Sequence, residues 1–197
     1  MISIKNIKSI FFLLVFFSLT LPSFAQKGYK VIRKAEKKHQ YGQNDRALKL
    51  LSKAENMNYG FFGNAWLEAN RAINLLRAKI YIDKKEYQLA RNYLDSISSE
   101  FVGDNLDSIR IRTFQLEYGK DSLSSMIDSS LLNTKEECEA SYFCYIIIPL
   151  TNGKTIRMTS NSFDPNIMIE SDERKKIEIW LAWFKGSENY KLIKEKR

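Results

Sequence analysis

The sequence predicts a mainly α protein: stacked antiparallel helical hairpins, then a C-terminal β-hairpin or small meander, then a final helix. Three observations carry this expectation. From residue 28 to about 131, apolar side chains recur at spacings of three and four and are interrupted by short polar turns, the period of half-buried helices. Near residue 141 the pattern changes to the aromatic and β-branched run Tyr142 to Leu150, which favours strand, and Asn152-Gly153 then signals a tight hairpin. Beyond Ser171 an acidic start followed by Ile177, Trp180, Leu181 and Phe184 restores helical spacing.

The chain opens with a targeting segment. Lys5 and Lys8 form a positive start, Ile10 to Leu21 is apolar, Pro22 breaks it, and Ser23-Phe24-Ala25 places small residues where signal peptidase needs them. The apolar run is well short of the roughly 20 residues that span a bilayer. Residues 1–25 are therefore expected to be a signal peptide cleaved after Ala25. The mature chain, 26–197, is expected to be periplasmic or secreted, with no stable membrane span after cleavage. Two regions follow: a helical domain over 26–135 and a small α+β extension over 136–197.

In the first hairpin, Val31 and Ala35 share one face. After Gly42-Gln43-Asn44-Asp45 the pattern resumes with Ala47, Leu48, Leu50, Leu51 and Ala54, and Asn44 or Asp45 is placed to cap the second helix. In the second hairpin, Trp66, Ala69, Ile73, Leu76 and Ile80 form a stripe over about 65–83. Asp83-Lys84-Lys85 turns, and Tyr87, Ala90, Leu94 and Ile97 line the return. The link from Asn58 to Asn64 is long and holds Tyr59, Phe61 and Phe62, which either plug a gap or offer binding aromatics. A third hairpin would use Leu106, Ile109, Thr113 and Leu116, turn at Gly119, and return through Leu123, Met126, Ile127 and Leu131.

After residue 141, Thr155 to Met158 is expected to pair with the Tyr142–Leu150 strand across the Asn-Gly turn, and 166–170 to add a short strand. Ser171 is the expected cap of the last helix, with Asp172 and Glu173 in its first turn and Gly186 as its stop. Lys191 to Arg197 is expected to fray. Cys138 and Cys144 lie six apart: they either close a short disulfide loop, which export would permit, or act as two small buried hydrophobes.

The first two hairpins resemble tetratricopeptide repeats. Ala35 with Ala47, and Ala78 with Ala90, have the twelve-residue spacing of small residues at which that family's paired helices cross. Tyr81, Ala54 and Gly42 occupy further favoured positions. Lys38 and Ile97 depart from the pattern, the family's proline after the second helix is missing, and the repeats lie 43 residues apart rather than about 34. The resemblance implies a binding scaffold in which first helices line a groove for a partner segment. On such a face, helical position selects Arg33, Lys34, Lys38, Arg77 and Tyr81.

Inventory argues against most chemistry. The only histidine, His39, sits in a polar stretch, which removes the common triads, and one histidine with two cysteines is a poor zinc set. No phosphate-binding glycine loop appears, so no metal or cofactor is expected. The acidic pairs Glu136–Glu137, Asp172–Glu173 and Glu100–Asp104 leave a carboxylate hydrolase as one alternative. Removing Lys5 and Lys8 leaves 29 basic against 23 acidic residues, a surplus that suits an acidic protein or peptide partner. Basic residues are dispersed, so nucleic acid is not expected. The leading expectation is an exported protein–protein interaction scaffold without catalysis; a structural accessory subunit of an envelope complex is the other alternative.

Overall fold

A computed structural model describes residues 27–60, 63–97, 106–140, 143–159 and 171–194. The targeting segment, Phe61, Phe62, Glu100, Asp104 and the strand expected at 166–170 lie outside the described residues. Among the described residues the chain is mainly helical with one small antiparallel sheet, as the periodicity indicates. Contacts divide it into two compact units, and the division falls inside a helix, between Ile80 and Tyr81. The boundary expected between residues 135 and 136 is a separate feature and falls at the start of the first strand, Lys135–Ala140.

The first unit contains α1 (27–40), α2 (Asn44–Glu55) and most of α3 (Gly63–Asp83). Its core joins Ile32 and Ala35 of α1, Ala47, Leu51 and Ala54 of α2, and Ala69, Ile73, Leu76 and Ile80 of α3. The alanines are fully buried, and their small side chains let neighbouring backbones approach closely. Ile32 takes the core position expected of Val31, which is only half-buried, and Trp66 at the start of the α3 stripe is 54 % exposed. Tyr59 is buried: its hydroxyl donates to the Ala54 carbonyl at 2.8 Å, and its ring meets Tyr29 edge-on at 5.3 Å.

The turn after α1 is a Schellman motif. The Gly42 N–H donates to the His39 carbonyl and the Gln43 N–H to the Lys38 carbonyl, with Gly42 at φ +71°. Gln43, not Asn44 or Asp45, is the N-cap of α2, and it makes no side-chain cap. The Asn44 carboxamide is occupied elsewhere, 3.0 Å from His39 Nδ1. The turn after α3 repeats the same two bonds, Lys85 N–H to Ile82 and Glu86 N–H to Tyr81, but places Lys85 in the left-handed region at φ 60°.

The second unit contains α4 (Tyr87–Asp95), α5 (Leu106–Tyr118), α6 (Lys120–Asp128), a 3-10 turn (Leu131–Asn133), β1 (Lys135–Ala140), β2 (Phe143–Pro149), β3 (Thr155–Thr159), α7 (Glu173–Gly186) and α8 (Glu188–Lys194). Both helices of the expected third hairpin form, and of the expected α5 stripe Leu106 and Thr113 are buried while Ile109 is half-buried. Ile111 and Phe114 are buried beside them, Leu116 is half-exposed, and Asp107 and Arg110 also occupy interior positions.

The sheet order is β1-β2-β3, antiparallel throughout. Ile146 opposite Met158 and Ile148 opposite Ile156 face the main core, together with Phe114, Leu123, Ile127, Trp180, Phe184 and Ile193. Tyr145 lies on the other face beneath the Arg157 guanidinium, 3.5 Å from its ring centre. The β2–β3 hairpin turns as expected, but only Gly153 has positive φ. The loop of Thr151, Asn152 and Gly153 is closed by Leu150 N–H to Lys154 (2.7 Å) and Gly153 N–H to Leu150, the three-residue form with a left-handed glycine.

Strand β1 was not expected from its composition, Lys-Glu-Glu-Cys-Glu-Ala, and pairing with β2 overrides that weak propensity. Asp172, not Ser171, caps α7, accepting from the N–H groups of Arg174 and Lys175. Helix α7 ends at Gly186 as expected. The segment expected to fray instead continues as α8 to Lys194, since Ile193 anchors it in the core.

Candidate functional site

The residues selected for a helical groove have different environments. Arg33 and Lys34 are exposed on α1, with Lys38 half-buried beside them. Arg77 is engaged within the fold: it is 7 % exposed and donates to both oxygens of Glu55, at 3.2 and 2.7 Å. These hydrogen bonds, aided by the charge of Arg77 and opposed by burial, hold the Glu55 carboxyl below the ordinary range. Tyr81 is half-buried, with its ring stacked on Tyr93 at 5.6 Å and Lys84 Nζ 5.9 Å from its centre. The structure thus groups Arg33, Lys34 and Lys38 on one helix, while Arg77 and Tyr81 serve internal contacts.

In the second unit, charges join α4, α5 and the β2–β3 hairpin. Arg91 pairs with Glu117 and donates to Gln88, and Lys154 reaches Glu117 at 2.9 Å. Arg110, 1 % exposed, donates to Asp107 and to the Leu94 carbonyl, and Arg157 donates to the Asp95 carbonyl. Burial raises the Asp95 pKa despite the pull of Arg110, Arg157 and Arg91. Burial also opposes charge on Glu117, but the bonds from Arg91 and Lys154 outweigh it and lower its pKa. These charges are used to fasten elements together.

A surface with space for a ligand lies between β1 and α7. It is a groove of about 780 Å³ lined by Leu132, Thr134, Lys135, Glu136 and Cys138 on one side and Glu173, Arg174, Ile177, Glu178 and Leu181 on the other. That volume falls within the usual range for binding clefts. Its lining mixes apolar side chains, Leu132, Ile177 and Leu181, with charges of both signs. Leu132, 92 % exposed, stands at one end. Among the described residues β1 has one sheet neighbour, β2, and its residues Lys135, Glu136 and Cys138 line the groove.

Cys138 and Cys144 sit opposite each other in the β1–β2 register and form a disulfide, with Cα atoms 4.0 Å apart, which settles the two options left by their spacing. The Glu136 carboxylate lies within 4.8 Å of both sulfurs, a metal-like grouping, but the disulfide commits both cysteines and leaves no thiolate to ligate. Glu136 instead faces Lys176 Nζ at 3.6 Å. Strand alternation turns Glu137 to the opposite face, so this pair cannot flank one sugar bond. Asp172 is used as a helix cap.

None of the residues selected from the sequence for partner binding lines the β1–α7 groove; the signals near it were the cysteine pair and the aromatics of the last helix, of which Trp180 is buried in the core. Among the described residues no helix is long and apolar enough to cross a membrane. Compared with protein families, curated proteins and solved structures, the chain matches none.

Proposed function

We propose that the chain is an exported, non-catalytic binding scaffold, built on hairpins of tetratricopeptide character, that holds an extended segment of a protein partner in the groove between β1 and α7. The observation that carries this reading is the groove itself, in which β1, with β2 as its one neighbour among the described residues, faces Ile177 and Leu181 of α7. A partner strand laid there would gain ladder hydrogen bonds from β1 and bury its side chains against Ile177 and Leu181. The groove takes precedence over a helical-repeat surface because Arg77 and Tyr81 are already committed to Glu55 and Tyr93. A non-catalytic role fits the use of the clustered charges as ties between elements.

A photo-cross-linking residue at Leu132 tests this, with one at Lys49 on α2 as control, in cells that make the protein. One adduct of defined mass from position 132 and none from position 49 is expected. No adduct from Leu132, or the same adducts from both positions, overturns the reading.

A further inference from the structure

Basic residues occur along the whole chain, but outside one helix acids balance them in sum, so the positive surplus falls there and the expectation of an even spread is corrected. Residues 27–40 contain Lys27, Lys30, Arg33, Lys34, Lys37 and Lys38 against a single acid, Glu36. Helix α1 buries Ile32 and Ala35. Lys30, Arg33, Lys34 and Lys37 recur at helical spacing on the face opposite those two, and all four are exposed. Among the described residues, none of these four has an acidic group within ion-pair distance. Tyr41 extends the same stripe: its N–H still donates to the Lys37 carbonyl, so it keeps helical phase, and its side chain is 76 % exposed.

We propose that this face of α1 adsorbs to the surface of an anionic phospholipid bilayer, a property that goes beyond the scaffold reading and does not depend on it. Lysine dominates the stripe. An ammonium acts as a mobile point charge suited to a diffuse layer of headgroup phosphates, whereas recognition of one fixed carboxylate or phosphate favours the arginine fork. The outer face of a single helix is convex, so it meets a plane along its length. An exposed tyrosine in line with a lysine row matches the residues that settle at headgroup level, with an apolar ring and a wet hydroxyl. The adsorption is peripheral, because the opposite face of α1 is already buried in the core.

The test is sedimentation of the exported protein with phosphatidylcholine vesicles, with and without phosphatidylglycerol. One variant carries Lys30→Gln, Lys34→Gln and Lys37→Gln. A control of equal charge change carries Arg112→Gln, Lys175→Gln and Lys185→Gln, all exposed positions of the second unit. The expected result is partition onto phosphatidylglycerol vesicles only, reduced about a hundredfold by the α1 triple and much less by the control. Tyr41→Ser should weaken it a further few-fold. Equal losses in the two triples would reduce the effect to net charge, and binding to pure phosphatidylcholine would make it apolar. Poly-L-glutamate binding more tightly than vesicles with the same α1 dependence would assign the face to an acidic polypeptide. Each of these overturns the proposal, and unchanged circular dichroism of the variants separates them from misfolding.

Discussion

Two turns of the same design differ by one residue, and the difference predicts a stabilising substitution. After α1 and after α3 the chain closes a Schellman motif with identical bonds, but the left-handed residue is Gly42 in one and Lys85 in the other. A β-carbon in that conformation costs about 1–2 kcal/mol, and glycine avoids it while ordering a freer unfolded chain, an opposing cost of about 0.5–1 kcal/mol. The Lys85 side chain is exposed, so its removal breaks no buried contact. Lys85→Gly should therefore stabilise the protein by about 0.5–1 kcal/mol, which raises Tm by roughly 1–4 °C in a chain of this size. The reverse change, Gly42→Ala, should destabilise by about 1 kcal/mol through backbone strain, since a Cβ at Gly42 meets nothing within 4 Å. Urea unfolding followed by circular dichroism, with thermal melts beside it, measures both. A Lys85→Gly variant no more stable than the parent, or a Gly42→Ala variant of unchanged stability, would refute the account of the two turns.

Three further outcomes follow from buried or bonded groups. Replacing Cys138 and Cys144 by serine releases a six-residue separation, so urea unfolding should show a loss of about 2 kcal/mol; intact mass of the native protein must also show both thiols oxidised. Gly28→Ala would bring a methyl group to 2.3 Å from the buried Tyr59 ring, which its hydroxyl bond to Ala54 holds in place, and should cost about 1–3 kcal/mol in the same assay. Glu117→Gln should cost about 1–2 kcal/mol at neutral pH, since the carboxylate accepts from Arg91 and Lys154. Because the folded-state pKa of Glu117 is lowered, its stabilisation is complete above the unfolded value of about 4.3 and disappears as pH falls through the folded value. Urea midpoints of parent and variant should converge in acid, and a difference that stays constant down to acid pH would remove the ion pair as its cause.

By itself the sequence determined what depends on local periodicity. Helical spacing placed α1, α2, α3 and α4, and the β-branched run with Asn152-Gly153 placed β2, β3 and the turn between them. These signals are strong because each residue is read against neighbours a few positions away. Glycine at 42 and 153 was legible for the same reason, although the form of the 153 turn was not.

Tertiary structure decided what depends on partners distant in the chain. Strand β1 has a composition that favours no strand, and it exists because β2 offers it a ladder and Cys144 a bond. The buried face of α5 follows from Arg110 reaching back to Leu94, a link that no local pattern contains. Arg77 looked like an exposed cation until Glu55, 22 residues away, supplied its carboxylate. The β1–α7 groove lies between segments separated by the second half of the sheet, so the sequence held its residues but not their proximity. The basic face of α1 is the intermediate case. Its charges were readable, but that Lys30, Arg33, Lys34 and Lys37 share the outward side became visible only once the core showed which side of the helix was turned inward.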